Sequence, residues 1–364
     1  MKVILTGGGT GGHIYPAIAI ADKIREYNPD AEILFVGTQR GLEKTLVPKN
    51  GYPIEFITVS GFNRRNLLKN VKTVKDLAKG NREAKNIVKS FKPDVVIGTG
   101  GYVCGPMVRA AAKLGVPTYI HEQNAFPGLT NKLLEKHVKN VFLAFEEGKE
   151  YFKQPEKHIV TGNPVRKVFY EAERMSARKE LGIPEDSFVV LSFGGSQGAS
   201  KINNTVFPLL EMLNGKENTF LVYATGKFYY DEVNERLKEE IPVLHDNVRV
   251  LEYIDNMALY LAAADLVVSR SGALAVTEIT VCGRASILVP SPNVTGNHQY
   301  FNAKAIADKG GAILIEEKDF NEEVLIKTVF ELMNDKEKVR ALEEGSRNAA
   351  PPDATEIIYN TIFK

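Results

Sequence analysis

Five glycines fall in six positions in the run Gly7-Gly8-Gly9-Thr10-Gly11-Gly12, and His13 closes it. An apolar stretch (2–6) precedes the run and an amphipathic one through Ile18-Ala19-Ile20-Ala21 follows. A strand that turns through glycines into a helix exposes backbone N–H groups and lets a ligand approach them closely. Gly7, Gly9 and Gly12 match the G-x-G-x-x-G spacing of dinucleotide sites. That fingerprint also needs an acid at the end of the second strand to hold a ribose. Here the second strand ends Val36-Gly37-Thr38, which argues against NAD or FAD. No Gly-Lys-Ser/Thr follows, so the run is not a Walker loop. His13 stands in the first helical turn, where the helix dipole disfavours an imidazolium and leaves a neutral ring. It reads equally as a general base and as a capping or ligand-orienting histidine.

The second half of the chain repeats the device. Gly194-Gly195-Ser196-Gln197-Gly198-Ala199 again joins an apolar run to a helical one. Its N–H groups suit a diphosphate, with Ser196 and Gln197 as added side-chain donors. Farther on, Ser269-Arg270-Ser271-Gly272-Ala273-Leu274-Ala275-Val276-Thr277-Glu278 ends a strand and opens a helix. Glu278 is either a ribose ligand or an ordinary acid favoured by the helix dipole. Asn297-His298-Gln299-Tyr300 is a polar loop that either lines a sugar pocket or caps a helix through Asn297.

The elements that must hold these loops alternate from end to end. Apolar runs at 2–6, 33–36, 54–59, 94–98, 118–121, 141–144 and 159–161 read as strands, and so do 188–193, 220–224, 248–251, 266–269, 286–289 and 312–315. Helical periods lie between them, which implies parallel sheets covered on both faces. With 364 residues, two doubly wound Rossmann-like α/β domains are expected. Their ranges are 1–163 and 164–345, with Gly162-Asn163-Pro164 at the join and the charged stretch 171–180 leading into the second. Residues 346–364 carry a helix, 355–363, expected to pack back on the first domain.

Charge, cysteine and hydropathy exclude several classes. A net charge of +1 gives no overall support for nucleic-acid binding. Cys104 and Cys282 form no disulfide framework, and no Cys/His cluster has zinc spacing. No secretory signal and no apolar stretch of ~18 residues is present, so a cytoplasmic protein is expected. One segment departs from neutrality: residues 62–92 hold ten lysines and arginines against two acids. At its head Phe62, Leu67, Leu68 and Val71 interleave with Arg64, Arg65, Lys69 and Lys72. The run reads either as a solvated helix face or as a surface that docks on anionic lipid.

Six segments now stand in order: the N-terminal Gly-Gly-Thr-Gly-Gly-His, Gly100-Gly101-Tyr102-Val103-Cys104-Gly105-Pro106, His121-Glu122-Gln123-Asn124, Gly162-Asn163-Pro164-Val165-Arg166, the loop 194–199 and the segment 272–278. Together they resemble the MurG family of bacterial peptidoglycan glycosyltransferases, glycosyltransferase family 28, over nearly the whole chain. The resemblance implies a GT-B fold with a cleft between the domains, and an inverting, metal-independent hexosyltransferase that needs no cofactor. It implies UDP-N-acetylglucosamine as donor and the MurNAc 4-hydroxyl of undecaprenyl-pyrophosphate-linked pentapeptide (lipid I) as acceptor, with lipid II as product. Thr10, Gly11, Gly12 and Asn124 are then expected near the donor, and Arg166, Ser196 and Gln197 at the diphosphate. Ile254 with Ala273, Leu274, Ala275, Val276 and Thr277 would line the uridine pocket, Glu278 would bind the ribose and Gln299 the sugar. His13 is the expected base, with Glu122 as the alternative. A lipid acceptor favours the docking reading of 62–92, at the cytoplasmic face of the membrane. A diacylglycerol glycosyltransferase and a UDP-GlcNAc 2-epimerase are the alternatives on the same fold. The His121-Glu122-Gln123-Asn124 segment argues against the first, and the basic apolar patch against the second. A non-catalytic nucleotide-sugar module is a third reading, disfavoured by two complete ligand loops.

Overall fold

The structure, a computed structural model, describes residues 1–60 and 70–364, with backbone alone at 70–72 and 295. It divides into two compact units, Met1–Arg166 with Pro351–Lys364, and Lys167–Ala350.

In the first unit the described strands are β1 (Lys2–Gly7), β2 (Glu32–Gly37), β3 (Ile54–Phe56), β4 (Val95–Gly100), β5 (Thr118–Glu122), β6 (Asn140–Leu143) and β7 (His158–Val160). They form one parallel sheet in the order β3-β2-β1-β4-β5-β6-β7. Successive strand side chains point to opposite faces, so a run that is apolar throughout has to be covered twice. Val3 and Leu5 pack with Ile14, Ile18 and Ile24 of helix Gly11–Tyr27 on one face. Ile4 packs with Met107 and Val108 of helix Cys104–Lys113 on the other. Each buried leucine or isoleucine contributes about 1.5–3 kcal/mol.

The last helix, Ala354–Phe363, belongs to this unit. The carboxylate of Asp353 caps it by accepting the Thr355 and Glu356 N–H groups at 2.9 and 3.3 Å. Ile358 joins the core beneath Gly11–Tyr27, and the Asn28 amide donates to the Tyr359 hydroxyl at 2.6 Å.

The second unit holds β8 (Phe188–Phe193), β9 (Thr219–Ala224), β10 (Val248–Leu251), β11 (Leu266–Ser269), β12 (Ala285–Leu288) and β13 (Ile313–Leu314). These are parallel, in the order β10-β9-β8-β11-β12-β13. One face carries helices Ser200–Leu213 and Glu322–Asn334, whose Ile202, Val206, Leu210, Leu325 and Val329 share a core with Val190, Leu221 and Val268.

Helix Arg174–Leu181 takes up most of the charged stretch 171–180, and Arg178 on it is buried. Its guanidinium donates to Asp265 Oδ2 and the Glu185 carbonyl, both at 2.6 Å, and to the Ala263 carbonyl at 3.1 Å. A planar guanidinium that places three of its five donors in this way can be held in the interior, which charge counting does not anticipate. Helices Leu129–Leu134, Glu322–Asn334 and Lys336–Ala349 also lie outside the sequence-based expectation.

In both sheets the strand order reverses beside the first strand, between β1 and β4 and between β8 and β11. Such a switch point opens a crevice at the strand C-termini, and the glycine loops stand there.

Candidate active site

In the first unit the loop after β1 meets the loop after β4. The Gly8 N–H donates to the Gly100 carbonyl at 3.3 Å. Behind the loop lies Glu43, fully buried at the start of helix Glu43–Lys49. Its Oε2 accepts the Gly9 N–H at 2.9 Å, and its Oε1 accepts the Thr38 N–H at 2.8 Å and the Thr38 hydroxyl at 2.7 Å. The acid missing from the end of the second strand thus stands a few residues later, turned onto the protein's own loop. Sequence reasoning passed over it, although an acid at a helix start just beyond β2 was a usable signal. Thr10 is exposed and precedes helix Gly11–Tyr27 without a side-chain cap, which leaves N–H groups near Gly11 and Gly12 for a ligand.

His13 Nδ1 lies 3.1 Å from the Gly8 carbonyl. A carbonyl only accepts, so Nδ1 carries the hydrogen and the lone pair of the neutral ring is on Nε2. Burial lowers the pKa of His13, against the pull of the Gly8 carbonyl and of the carboxylates Glu122 and Glu43. The neutral ring expected from the helix dipole is found, but its main cause is desolvation. Gly100, at φ +110°, keeps the ring clear: a Cβ there would stand 2.6 Å from His13 Cδ2 and 3.0 Å from Nε2.

Glu122, at the end of β5, is buried and heavily bonded. Its Oε1 accepts the Asn124 N–H and side-chain amide at 3.1 and 3.2 Å, and its Oε2 accepts the Gly128 N–H and the Asn131 amide at 3.0 and 2.9 Å. These bonds use the carboxylate to shape the loop that carries Asn124. Arg166 lies on the first unit, its guanidinium 4.9 Å from the Tyr15 ring centroid on helix Gly11–Tyr27. Phe62, Arg64, Arg65, Leu67, Leu68 and Lys69 lie outside the described residues, and Val71 and Lys72 are described by backbone alone.

In the second unit the loop 194–199 interlocks with the turn after β9. Gly198 and Gly226, at φ +84° and +81°, touch so closely that a Cβ on Gly226 would meet Gly198 N at 2.0 Å. Ser196 and Gln197 are exposed on the loop. Helices Ser200–Leu213 and Ala273–Val281 both begin without a side-chain cap and without a first-turn acid. Gly194, Gly195, Gly198 and Ala199 from one start, and Gly272 and Ala275 from the other, line a cavity of about 400 Å³. Gln299, Arg270, Ser291 and Phe193 complete it.

Gln299 is held from two sides. Its Oε1 accepts the Ser291 N–H at 2.9 Å, and its carbonyl accepts the Ser271 hydroxyl at 2.9 Å. The NH₂ end is therefore the one left for a ligand. Arg270, which sequence reasoning left without a role, donates to the Val289 and Pro290 carbonyls at 3.2 Å each and pairs with Glu317. Val276 and Thr277 turn into the core, and the Thr277 hydroxyl donates to the Ala273 carbonyl at 2.9 Å. Leu274 and Glu278 are half-buried on the same helix. Ile254 is buried between β10 and helix Met257–Ala263.

Residues 3–143 match the glycosyltransferase family 28 N-terminal domain, and residues 189–358 match the family 28 C-terminal domain. The chain belongs to glycosyltransferase family 28. This family 28 chain is 46% identical over 362 residues to a UDP-N-acetylglucosamine--N-acetylmuramyl-(pentapeptide) pyrophosphoryl-undecaprenol N-acetylglucosamine transferase of Acetivibrio thermocellus, covering 100% of this chain and 97% of the relative. It is 43% identical over 364 residues to UDP-N-acetylglucosamine--N-acetylmuramyl-(pentapeptide) pyrophosphoryl-undecaprenol N-acetylglucosamine transferase 1 of Bacillus thuringiensis subsp. konkukian, covering 100% of this chain and 99% of the relative. Its fold is similar to the crystal structure of Acinetobacter baumannii MurG, with a TM-score of 0.74, 30% identity and 99% of each chain covered. A Neisseria meningitidis UDP-GlcNAc 2-epimerase bound to UDP-GlcNAc shares the fold at a TM-score of 0.70 and 15% identity, covering 100% of this chain and 99% of that one. Family 28 membership makes the chain a hexosyltransferase.

Proposed function

We propose that this enzyme transfers N-acetylglucosamine from UDP-N-acetylglucosamine to the 4-hydroxyl of MurNAc in lipid I, giving lipid II for peptidoglycan. The observation that carries this reading is identity of 43–46% along the whole chain to transferases named for that reaction. The epimerase alternative rests on fold likeness alone.

The geometry supports a division of labour. The cavity of the second unit would take the donor, with the diphosphate at the two uncapped helix starts, Ser196 and Gln197 adding donors. Those N–H groups stabilise the negative charge that grows on the departing phosphate. Ala273, Leu274, Ala275 and Ile254 would face the uridine, Glu278 the ribose and Gln299 a sugar hydroxyl. Arg166 would neutralise phosphate charge. In the first unit Thr10, Gly11, Gly12 and Asn124 would hold sugar groups, and His13 Nε2 would take the proton of the attacking hydroxyl. Glu122, with four hydrogen bonds already made, fits loop support better than proton transfer.

For a lipid-linked acceptor the enzyme has to work at a membrane, and we place it at the cytoplasmic face. No helix among the described residues is long and apolar enough to cross a bilayer. Helix Asn70–Phe91 continues the basic segment. Leu129 and Leu133, 62% and 61% exposed, lie one turn apart on helix Leu129–Leu134. Lys132 lies on the same helix and Lys136 follows in the next turn, so basic residues stand close by. Exposed leucines beside basic residues suit an anionic bilayer.

The test is transfer of labelled N-acetylglucosamine from its UDP donor to a lipid I analogue, with EDTA present. Product confirms donor, acceptor and metal independence together. Folded enzyme that binds UDP yet yields no product overturns the reading of the acceptor.

A further inference from the structure

Strand β4 carries one residue more than β1 at the point where the loops after them meet. Thr6 pairs with Gly98 and Gly7 with Gly100, so Thr99 is the extra residue of a bulge. Bulges re-aim a side chain, and they recur beside active sites. By the alternation of a strand, Thr99 follows Val95 and Ile97 on the face that helix Gly11–Tyr27 covers. The residue has no exposure to solvent, so its hydroxyl needs a partner inside the protein. That partner is the backbone carbonyl of His13, 2.7 Å away. The Thr6 carbonyl lies at 3.4 Å, and a hydroxyl has one hydrogen, which the shorter contact takes.

Gly7 belongs to the same arrangement. A Cβ there would overlap Thr99 Oγ1 and stand 2.9 Å from the His13 carbonyl oxygen. The first glycine of the run therefore makes room for this hydrogen bond, a use that the dinucleotide spacing does not include. From the other side the Gln123 amide nitrogen donates to the Thr99 carbonyl at 2.6 Å, so Thr99 is held at both ends. The next residue, Gly100, lies against the His13 ring. The dipeptide thus locates His13 twice, its backbone through the Thr99 hydroxyl and its ring through contact with Gly100.

We propose that Thr99 is a positioning residue for the transfer, its hydroxyl holding the His13 carbonyl so that Nε2 stays where the acceptor hydroxyl gives up its proton. The role rests on His13 being the base, while the hydrogen bond does not. His13 Nδ1 is tied to the Gly8 carbonyl within the same loop, so a shift of the loop carries Nε2 with it. A misplacement of about 1 Å costs on the order of 10²-fold in rate, and the partial loosening left by one lost hydrogen bond costs less.

The test is steady-state kinetics of Thr99→Ala and Thr99→Ser, each alone and in a His13→Ala background. Thr99→Ala is expected to lower kcat about tenfold with both KM values within about twofold. Thr99→Ser keeps the donor and is expected to stay within about twofold of wild type. In the His13→Ala background Thr99→Ala should cost nothing further, because residues that act as one unit are not additive. Full kcat in Thr99→Ala, an equal fall in Thr99→Ser, or an undiminished further fall in the His13→Ala background overturns the proposal. Should Thr99→Ala not fold, Thr99→Val keeps the shape without the hydroxyl and is read by the same outcomes. A His13→Ala enzyme that keeps its activity defeats the base reading and the positioning role with it. An inactive His13→Ala enzyme beside a fully active Thr99→Ala enzyme defeats the positioning role alone.

Discussion

Glu43 Oε2 accepts the Gly9 N–H at 2.9 Å from a carboxylate with no exposure to solvent. The same group takes the Thr38 N–H and hydroxyl, so one buried acid ties the glycine loop to the end of β2. In Glu43→Gln, one of these donors faces an amide NH₂ instead of an oxygen. The expected loss is about 1–3 kcal/mol in urea unfolding, with faster hydrogen exchange at Gly9. Unchanged exchange at Gly9 would show that the loop holds itself.

His13→Ala should reduce kcat by about 10²-fold or more while UDP binding stays intact. A base acts while neutral, and burial lowers the pKa of this ring from 6.5. In wild type the acid limb of kcat therefore falls below pH 6.5, and the variant loses that limb. A pH–rate profile of both enzymes checks it.

Gly100→Ala adds a methyl group 2.6 Å from the His13 ring at a backbone φ of +110°. Strain of about 1–3 kcal/mol is expected, together with a fall in kcat larger than the change in donor KM. Thermal unfolding and steady-state kinetics separate the two effects.

Gln299→Glu keeps the oxygen that accepts from Ser291 N and removes the NH₂ that faces the cavity. Donor KM should rise about tenfold or more, with Tm nearly unchanged, because a polar pocket loses a donor to the sugar. Isothermal titration with UDP alone should show little change, since the contact is to the sugar.

His121 sets an acid limit to stability. Its pKa is about 4 in the folded chain against 6.5 for an ordinary imidazole. Between these values the unfolded chain takes up a proton that the folded chain does not. Stability is then full above about pH 6.5 and falls as pH drops toward 4, by on the order of 3 kcal/mol in all. In His121→Gln that part of the slope should vanish from unfolding free energies measured across the window.

Leu129→Asp with Leu133→Asp changes two exposed side chains, so Tm should move little. Sedimentation with anionic vesicles should fall several-fold, and unchanged sedimentation would move the docking surface elsewhere.

Much of this was legible along the chain. Strands such as Phe188–Phe193 and Leu266–Ser269 stand where the apolar runs put them, because a strand buried on both faces has to be largely apolar. The glycine loops followed from their place between strand and helix. The buried Arg178 and the helix around it did not, since a charge pattern looks the same whether water or Asp265 solvates it.

The sequence by itself determined two parallel α/β domains, the two glycine loops, and the run of motifs that places the chain in its family. These are local signals of period, turn chemistry and order, written in neighbouring residues. Only the tertiary structure decided that Glu43 holds the first loop, that Glu122 is spent on its own loop, and that Gln123 turns its amide nitrogen onto His121 and the Thr99 carbonyl. Each of these depends on which donors and acceptors distant segments bring to one point, and hydrogen-bond polarity at such a point is set in space.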